Sequence, residues 1–348
     1  MEILKTTGRG RETYNVQVKY SLLWECALGI AAITNSRLIE TLEQSMDFWK
    51  TTQKRMSTEL TEALDDVEKN NTWKSLLLLL HQQDFTDLSS FITYVNSLPE
   101  QNLRYQCIPF VGFNHQSTRY QASTGDKLAV QELKKVTKHN PFFPDYIEFI
   151  CQIDAKALKQ HLITVMSGWY REFIEPEASR VERYLKQDCA MKRTMMAKMD
   201  PEEFVEWATG GIAYLPEPSV SNVLLIPQYI YRPWNIEADI EGTKVFYYPV
   251  SNESIHPEDT LTPNYFLVHK HKALGDELRL RMVKLLYRKD QTLQEITNTL
   301  GAGKTTIHHH LKILRSAKLV DVQHATYSLR KNALQSLSKE LDHYLNEG

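Results

Sequence analysis

Over most of the first two thirds of the chain, apolar residues recur at three- and four-residue steps, the spacing that lines one face of a helix. The pattern predicts helices over 22–36, 38–50, 57–69, 73–81, 87–98, 127–137, 155–172, 177–196 and 201–208. Asp87 and Asp200 stand at N-cap positions, and Asp200 is followed by Pro201 at the first helical position, where a missing N–H does no harm. Ahead of the helices, Tyr14, Val16, Val18 and Tyr20 alternate with polar residues, the period of a half-buried strand over 13–20. The stretch 98–126, with Pro99, Pro109, Gly112 and Gly125, reads as an irregular break inside one domain. After Gly210-Gly211 the texture changes. Residues 222–226, 229–231 and 244–250 are β-branched and aromatic, punctuated by Pro227, Pro233 and Gly242, so a small antiparallel sheet is expected there. Residues 251–263 are polar and proline-bearing and read as an inter-domain connection. No internal repeat is evident.

The helical period returns after this connection, with basic residues around it. Leu274, Leu278, Met282, Leu285 and Leu286 lie at helical spacing among Arg279, Arg281, Lys284, Arg288 and Lys289. Thr292 and Glu295 form a capping-box pair ahead of Leu293, Ile296 and Leu300, which starts a short helix with one apolar face. Gly301 and Gly303 break it. A second helix begins at about Lys304, with Ile307, Leu311 and Leu314 on its buried side and Lys304, Thr305, Thr306, His308, His309 and Lys312 facing out. This is a helix-turn-helix pattern, and a helix with that outer face can lie in the major groove and read base edges from its N-terminal half. Residues 319–322 and 326–329 are two short β-prone runs around Gln323-His324-Ala325, a tight hairpin. A final helix over 332–345 repeats Leu334, Leu337, Leu341 and Tyr344, the spacing of a coiled-coil seam that needs a partner.

With the runs ALGDELRLRMVKLL, TLQEITNTLG and KTTIHHHLKILRSAKLV in this order, residues 272–329 resemble the ArsR-type winged helix-turn-helix of bacterial transcriptional regulators. The resemblance covers the last quarter of the chain. Lys318 stands where that family has the glycine that ends the recognition helix, so a less sharply turned helix end is expected. The wing is short and carries no Arg or Lys at its tip, which gives no basis for wing contacts to DNA. The sensor cysteines some relatives carry on the helix corresponding to 292–300 are absent, so the resemblance does not extend to metal sensing there. The larger amino-terminal part, with its PQYIYRPWNI segment, loosely resembles uncharacterised multi-domain ArsR-like regulators and implies no ligand.

The chain of 348 residues is long enough for two domains, and the apolar and charged fractions are those of an ordinary globular protein. The expected fold class is mainly α: a helical N-terminal effector or assembly domain over 1–262 with short strands near 210–250, then a winged helix-turn-helix domain over 263–348. The formal charge of −2 is unevenly placed. From Asn264 onward there are 14 Lys and Arg against 8 Asp and Glu, whereas the preceding residues carry 27 against 35. The basic end is the nucleic-acid end. Cys26, Cys107, Cys151 and Cys189 are 81, 44 and 38 residues apart, which fits neither a zinc ribbon nor a disulfide scaffold and points to free thiols in a reducing cytoplasm. The most apolar runs, 22–33 with Glu25 inside it and 76–80, are shorter than the roughly 20 residues a spanning helix requires. Glu25 also argues against a signal peptide.

Sharper chemical readings give way to plainer ones. A phosphate-binding loop at Gly301-Ala302-Gly303-Lys304-Thr305-Thr306 needs a glycine where Asn298 stands and an apolar strand before it. His308, His309 and His310 point about 100° apart on a helix and cannot converge on one ion. His310 is expected near a helix–helix junction. Tyr229, Tyr231, Trp234, Phe246, Tyr247 and Tyr248 suit a sheet core and domain interface better than an effector pocket. No catalytic constellation can be singled out, so the expectation is not an enzyme, with no cofactor and no metal. The expected function is a sequence-specific transcriptional regulator, repressor-like, binding double-stranded DNA at an inverted-repeat operator. It would act as a homodimer through Leu334, Leu337, Leu341 and Tyr344. Lys304, Thr305, Thr306, His308, His309, Lys312 and Arg315 are the expected DNA-binding residues. A small-molecule or protein effector at the N-terminal domain, no membrane partner, and a cytoplasmic, nucleoid-associated location complete the expectation. The alternative is a winged-helix assembly protein that does not read DNA.

Overall fold

Residues 22–33, LLWECALGIAAI, form a helix that is buried from Leu23 to Ile33, and the rest of the first compact unit is built around it. A helix apolar on every side belongs inside a core. Ser21 caps its start by accepting from the Leu23 amide. Gly29 lets the helix Ala155–Trp169 approach: a Cβ there would stand 2.6 Å from Trp169 Nε1. The structure, a computed structural model, describes residues 13–346 except 260, 262, 264 and 324. Two units emerge. The first comprises residues up to Val205 together with Tyr214–Val250, and the second comprises Glu206–Ala213 with the chain from Ser251 onward. The second unit therefore takes in the expected connection over 251–263 and a short segment from far upstream.

The first unit is mainly α with one small sheet, and most helices follow the apolar spacing. The expected helix over 38–50 is instead two helices, the four-residue Ser36–Ile39 and a separate one, Met46–Arg55. The intervening residues are held elsewhere. The Glu43 amide donates to Arg232 O at 2.8 Å, Arg232 Nε donates to the Glu43 carboxylate at 2.8 Å, and Trp234 Nε1 donates to Thr41 Oγ1 at 3.0 Å. The stretch 98–126, expected to be irregular, contains the helices Glu100–Cys107 and Gln116–Ser123. Its prolines and glycines sit between helices: Pro99 is the N-cap residue of the first, and Gly112, at φ 104°, separates the two. The helix Ala155–Trp169 runs into a π-helical turn, Tyr170–Ile174, just before Pro176. Proline has no amide hydrogen with which to continue the α ladder.

The sheet corrects the expectation of an antiparallel arrangement. Strands β1 (Asn15–Val18), β2 (Asn222–Gln228), β3 (Ile236–Ile240) and β4 (Thr243–Pro249) lie in the order β1-β2-β4-β3. β1 and β4 run parallel to β2, and only β3 is antiparallel to its neighbour. Leu225, Ile226 and Val245–Tyr248 are all buried. Such continuous apolar runs mark strands covered on both faces, as parallel strands are. Tyr229–Tyr231, expected as a strand, is a turn because side chains take its amides. The Glu25 carboxylate accepts from Tyr229 N at 2.9 Å and Ile230 N at 2.5 Å, and Gln228 Oε1 accepts from Tyr231 N at 2.8 Å. Phe246, Tyr247 and Tyr248 are core residues, while Tyr229, Tyr231 and Trp234 are half-buried.

The second unit contains helices Tyr265–Leu274, Glu277–Arg288, Leu293–Leu300 and Lys304–Ser316. It also holds a sheet of β5 (Gln291–Thr292), β6 (Val320–Gln323) and β7 (Thr326–Leu329) in the order β5-β7-β6. Helices Lys331–Gln335 and Leu337–Asn346 follow. The apolar run around Leu274 and Leu278 is thus split in two, since Asp276 caps the second helix by accepting from Arg279 N at 2.9 Å. The single helix expected over 332–345 is likewise broken at Ser336, whose hydroxyl donates to Glu340 at 2.6 Å. Among the described residues no helix is long and apolar enough to cross a membrane.

Glu25 gives the first unit a pH dependence. Burial raises its pKa from 4.5 to about 7, against the opposing pull of the Tyr229 and Ile230 amides. The folded state therefore holds this proton more tightly than the unfolded chain. Stability contributed by protonated Glu25 is full below pH ~4.5 and is lost as pH rises through about 7. The difference in stability between the chain and its Glu25→Gln variant, read by denaturant titration at each pH, should fall by about 3 kcal/mol across that window; the comparison cancels His81, whose lowered pKa changes stability in the opposite direction.

Candidate nucleic-acid interface

Three apolar side chains at i, i+4 and i+7, Ile307, Leu311 and Leu314, are fully buried and fix the rotation of the helix Lys304–Ser316. They pack with Ala273, Met282, Leu286, Ile296, Leu319, Tyr327 and Leu329. The preceding helix starts at a two-way cap. Glu295 N donates to Thr292 Oγ1 at 3.3 Å, and the Thr292 amide donates to the Glu295 carboxylate at 2.7 Å. The Thr292 amide and hydroxyl hold the Glu295 carboxyl below its usual pKa. Gly301 then ends that helix at φ 64°, a left-handed conformation glycine adopts without strain. Gly303, extended at φ −60° and ψ 141°, is the N-cap of the next, which has no side-chain cap. The glycine pair is the turn of a helix-turn-helix, and a helix, not a strand, precedes it.

With the buried trio facing inward, Lys304, Thr305, Thr306, His308, His309, Lys312 and Arg315 are all exposed. Counting about 100° per residue from Lys304, five of these, Arg315, His308, Lys312, Thr305 and His309, follow within about 140°, and Thr306 lies at the rim near 200°. His310 is half-buried and held at a junction, as expected. Its Nδ1 lies 3.3 Å from Arg279 Nη1 and 3.8 Å from Asp276 Oδ1. Arg279 also donates from Nε to Ala273 O at 2.6 Å, so it closes the end of the helix Tyr265–Leu274 while touching the recognition helix. The amide of Arg279, with smaller contributions from its charge and from His310, lowers the Asp276 pKa. Sequence spacing placed Arg279 only among a set of basic residues, and its inward role depends on the Asp276 cap.

The end of the recognition helix overturns the expectation of a loose turn. Lys318 adopts φ 55°. Leu319 N donates to Leu314 O at 3.0 Å and Lys318 N to Arg315 O at 2.9 Å, the bond pattern of a glycine-type helix stop. For a residue with a Cβ this conformation costs about 1–3 kcal/mol and persists where surrounding contacts hold it. Lys318 is buried, and its ammonium donates to Thr209 O at 2.6 Å. The wing is as short as expected: β6 and β7 are paired from Val320↔Leu329 to Gln323↔Thr326, with Ala325 at φ 64° in the turn. His324 lies outside the described residues.

The expected seam residues sit on two helices. Leu334 packs against the core of the winged helix, and Leu337, Leu341 and Tyr344 are half-buried within the same chain. Lys270, almost fully buried, donates to Glu340 at 2.6 and 2.9 Å, and Tyr344 Oη donates to Leu261 O at 2.8 Å. Among the described residues no cluster of three or more His, Cys, Asp or Glu could hold a metal ion. The cysteines are free thiols in the first unit.

A helix-turn-helix followed by a two-stranded wing defines the winged-helix class of DNA-binding domains. The model of the bacterial regulatory protein arsR family matches residues 276–322. The transcriptional repressor SdpR of Bacillus subtilis (strain 168) is 31% identical over 81 residues, which is 22% of this chain and 90% of that protein. The transcriptional repressor SmtB homolog of Synechocystis sp. (strain ATCC 27184 / PCC 6803 / Kazusa) is 30% identical over 79 residues, 22% of this chain. This chain spans 60% of the length of that relative. Through its C-terminal winged helix, the chain belongs to the arsR family of bacterial regulatory proteins. No solved structure matches it.

Because the buried trio alone sets which side chains face out, Leu311→Ala should destabilise the second unit by about 2–5 kcal/mol. Thermal unfolding followed by amide exchange in each unit should localise that loss to the winged helix.

Proposed function

We propose that the chain is a sequence-specific, repressor-like transcriptional regulator that binds double-stranded DNA as a homodimer. The observation that carries this reading is the outer face of the recognition helix, where Lys304, Thr305, Thr306, His308, His309, Lys312 and Arg315 offer only hydrogen-bonding or cationic groups. Thr305, Thr306, His308 and His309, toward the N-terminal end, read base edges. Thr306 does so from the rim of the face. Lys304 reaches a guanine or a phosphate, and Lys312 and Arg315 hold phosphates. Two relatives that bear the name transcriptional repressor support the sign of regulation.

Leu334, Leu337, Leu341 and Tyr344, each only half-buried in a single chain, form the dimer seam with help from the helix Tyr265–Leu274. Two-fold symmetry then calls for an inverted repeat with half-sites about one helical turn apart, or a multiple of it. The first unit receives a small-molecule or protein effector, and the protein works in the cytoplasm, on the nucleoid, by binding and not by catalysis.

Fragments selected from the source genome supply the operator, and salt titrations on operator and random duplexes supply the test. His308→Ala or Thr306→Ala should cost about 1–3 kcal/mol on the operator with little change on random DNA. Lys312→Ala should weaken both and lower the salt slope by about one. If the two classes behave alike, the base-reading assignment fails. If the unaltered protein prefers no fragment, the assembly-protein reading replaces this one.

Sedimentation tests the seam. Truncation after Lys331 should yield a monomer with weakened DNA binding, but it also strips Glu340 from the buried Lys270. Leu341→Glu leaves that ion pair in place and should likewise yield a monomer. A variant that stays dimeric removes the seam.

A further inference from the structure

The chain enters the second unit twice, first at Glu206–Ala213 and again at Ser251. Residues Val205 and Tyr214, on either side of the first visit, belong to the first unit. This segment ends the helix Pro201–Ala208 in a tight turn. Gly210 N donates to Trp207 O at 3.1 Å and Gly211 N to Glu206 O at 2.7 Å, with the two glycines at φ 68° and 114°. Ile212 N donates to Thr209 Oγ1 at 3.0 Å. The turn leaves two carbonyls facing the winged helix, and each meets a cation. Lys318 Nζ donates to Thr209 O at 2.6 Å, and Arg330 Nη1 donates to Gly211 O at 2.9 Å.

These cations close the two ends of the wing hairpin. Lys318 is the left-handed residue that stops the recognition helix, two positions before β6. Arg330 follows β7; its amide donates to Leu319 O at 2.9 Å, and its guanidinium reaches Asp321 at 3.1 Å. A glycine at 318 would hold the turn unaided. A lysine holds a strained backbone, and its side chain is anchored on the upstream segment.

We propose that residues 206–213 are a strap that keeps the end of the recognition helix in its DNA-binding arrangement, so that any event in the first unit that draws the strap away weakens DNA binding. The regulatory half of this inference rests on the DNA-binding reading above, while the structural half does not. Both ends of this segment continue along the chain into the first unit, at Val205 and at Tyr214.

The experiment uses the full chain and reads amide exchange at Ala317, Lys318 and Leu319, together with operator affinity. Gly211→Ala forces a Cβ onto a backbone at φ 114°, and Arg330→Gln releases the other end. Each should speed exchange at 317–319 and weaken operator binding, on the order of tenfold, while exchange at the buried Ile307, Leu311 and Leu314 amides stays slow. That slow core shows the winged helix still folded. Adding Lys318→Gly to Gly211→Ala should restore slow exchange at 317–319 and operator affinity, because glycine needs no anchor in the turn. If neither single variant speeds exchange at 317–319, or if Lys318→Gly fails to restore it, the strap is wrong. If exchange responds as expected but the unaltered protein binds no DNA, the strap stands and the DNA-binding reading fails. If exchange responds and operator affinity does not, the regulatory half fails.

Discussion

The burial of Ile307, Leu311 and Leu314 is the constraint on which the second unit depends. A helix has one rotational freedom about its axis, and three side chains on one stripe remove it. Once they are fixed, the outward orientation of Lys304, His308 and Lys312 needs no further interaction. The rest of the unit serves that placement. The Thr292–Glu295 cap and the left-handed Gly301 set the angle at which the helix begins. Arg279 ties His310 to the neighbouring helix end, and the Lys318 turn ends the helix. Substitutions on the outer face therefore leave the rotation of the helix unchanged so long as the inner stripe stays apolar.

Local chemistry made much of this legible in the sequence. The Thr292–Glu295 pair, Gly301, Gly303 and the apolar trio are interactions between residues a few positions apart, and the winged-helix architecture follows from them. What spacing did not reveal depended on distant partners. Lys318 looks like a poor helix stop until Thr209, 109 residues upstream, receives its ammonium. Tyr229–Tyr231 reads as a strand until Glu25 claims its amides. The run 332–345 reads as a free seam until Glu340, bonded by Ser336, is seen to be committed to Lys270, 70 residues upstream. The helices between 98 and 126 were masked by prolines and glycines that lie between them, not within them. The outer face of the candidate site was legible because it is set by local periodicity, whereas its anchors were not.

Glu25 shows the same logic in the first unit. A carboxylate within an apolar helix is costly in isolation, and here it supplies acceptors for a turn whose amides have no ladder. His81, half-buried and bonded to Tyr247 Oη at 2.6 Å, has its pKa lowered to about 4 by desolvation and so stays neutral at ordinary pH. The polar groups inside this unit mark the joints between helices and sheet. They fix which segments meet, while the apolar surface supplies the drive to bury them.

The parallel pairing of β1 with β2 also sets an order of events at the ribosome. Val18 is aligned with Leu225, and β2 with β4, which ends at Pro249. At about 5–20 residues per second, the amino-terminal strand waits on the order of ten to forty seconds for its neighbour to be made. Through that interval the intervening helices are available to collapse around the buried segment Leu22–Ile33, but the strands that share its core, β2 and β4, are not yet made. The newborn chain thus carries β1 without its neighbour until β2 emerges, and the sheet is complete only once β4 has followed.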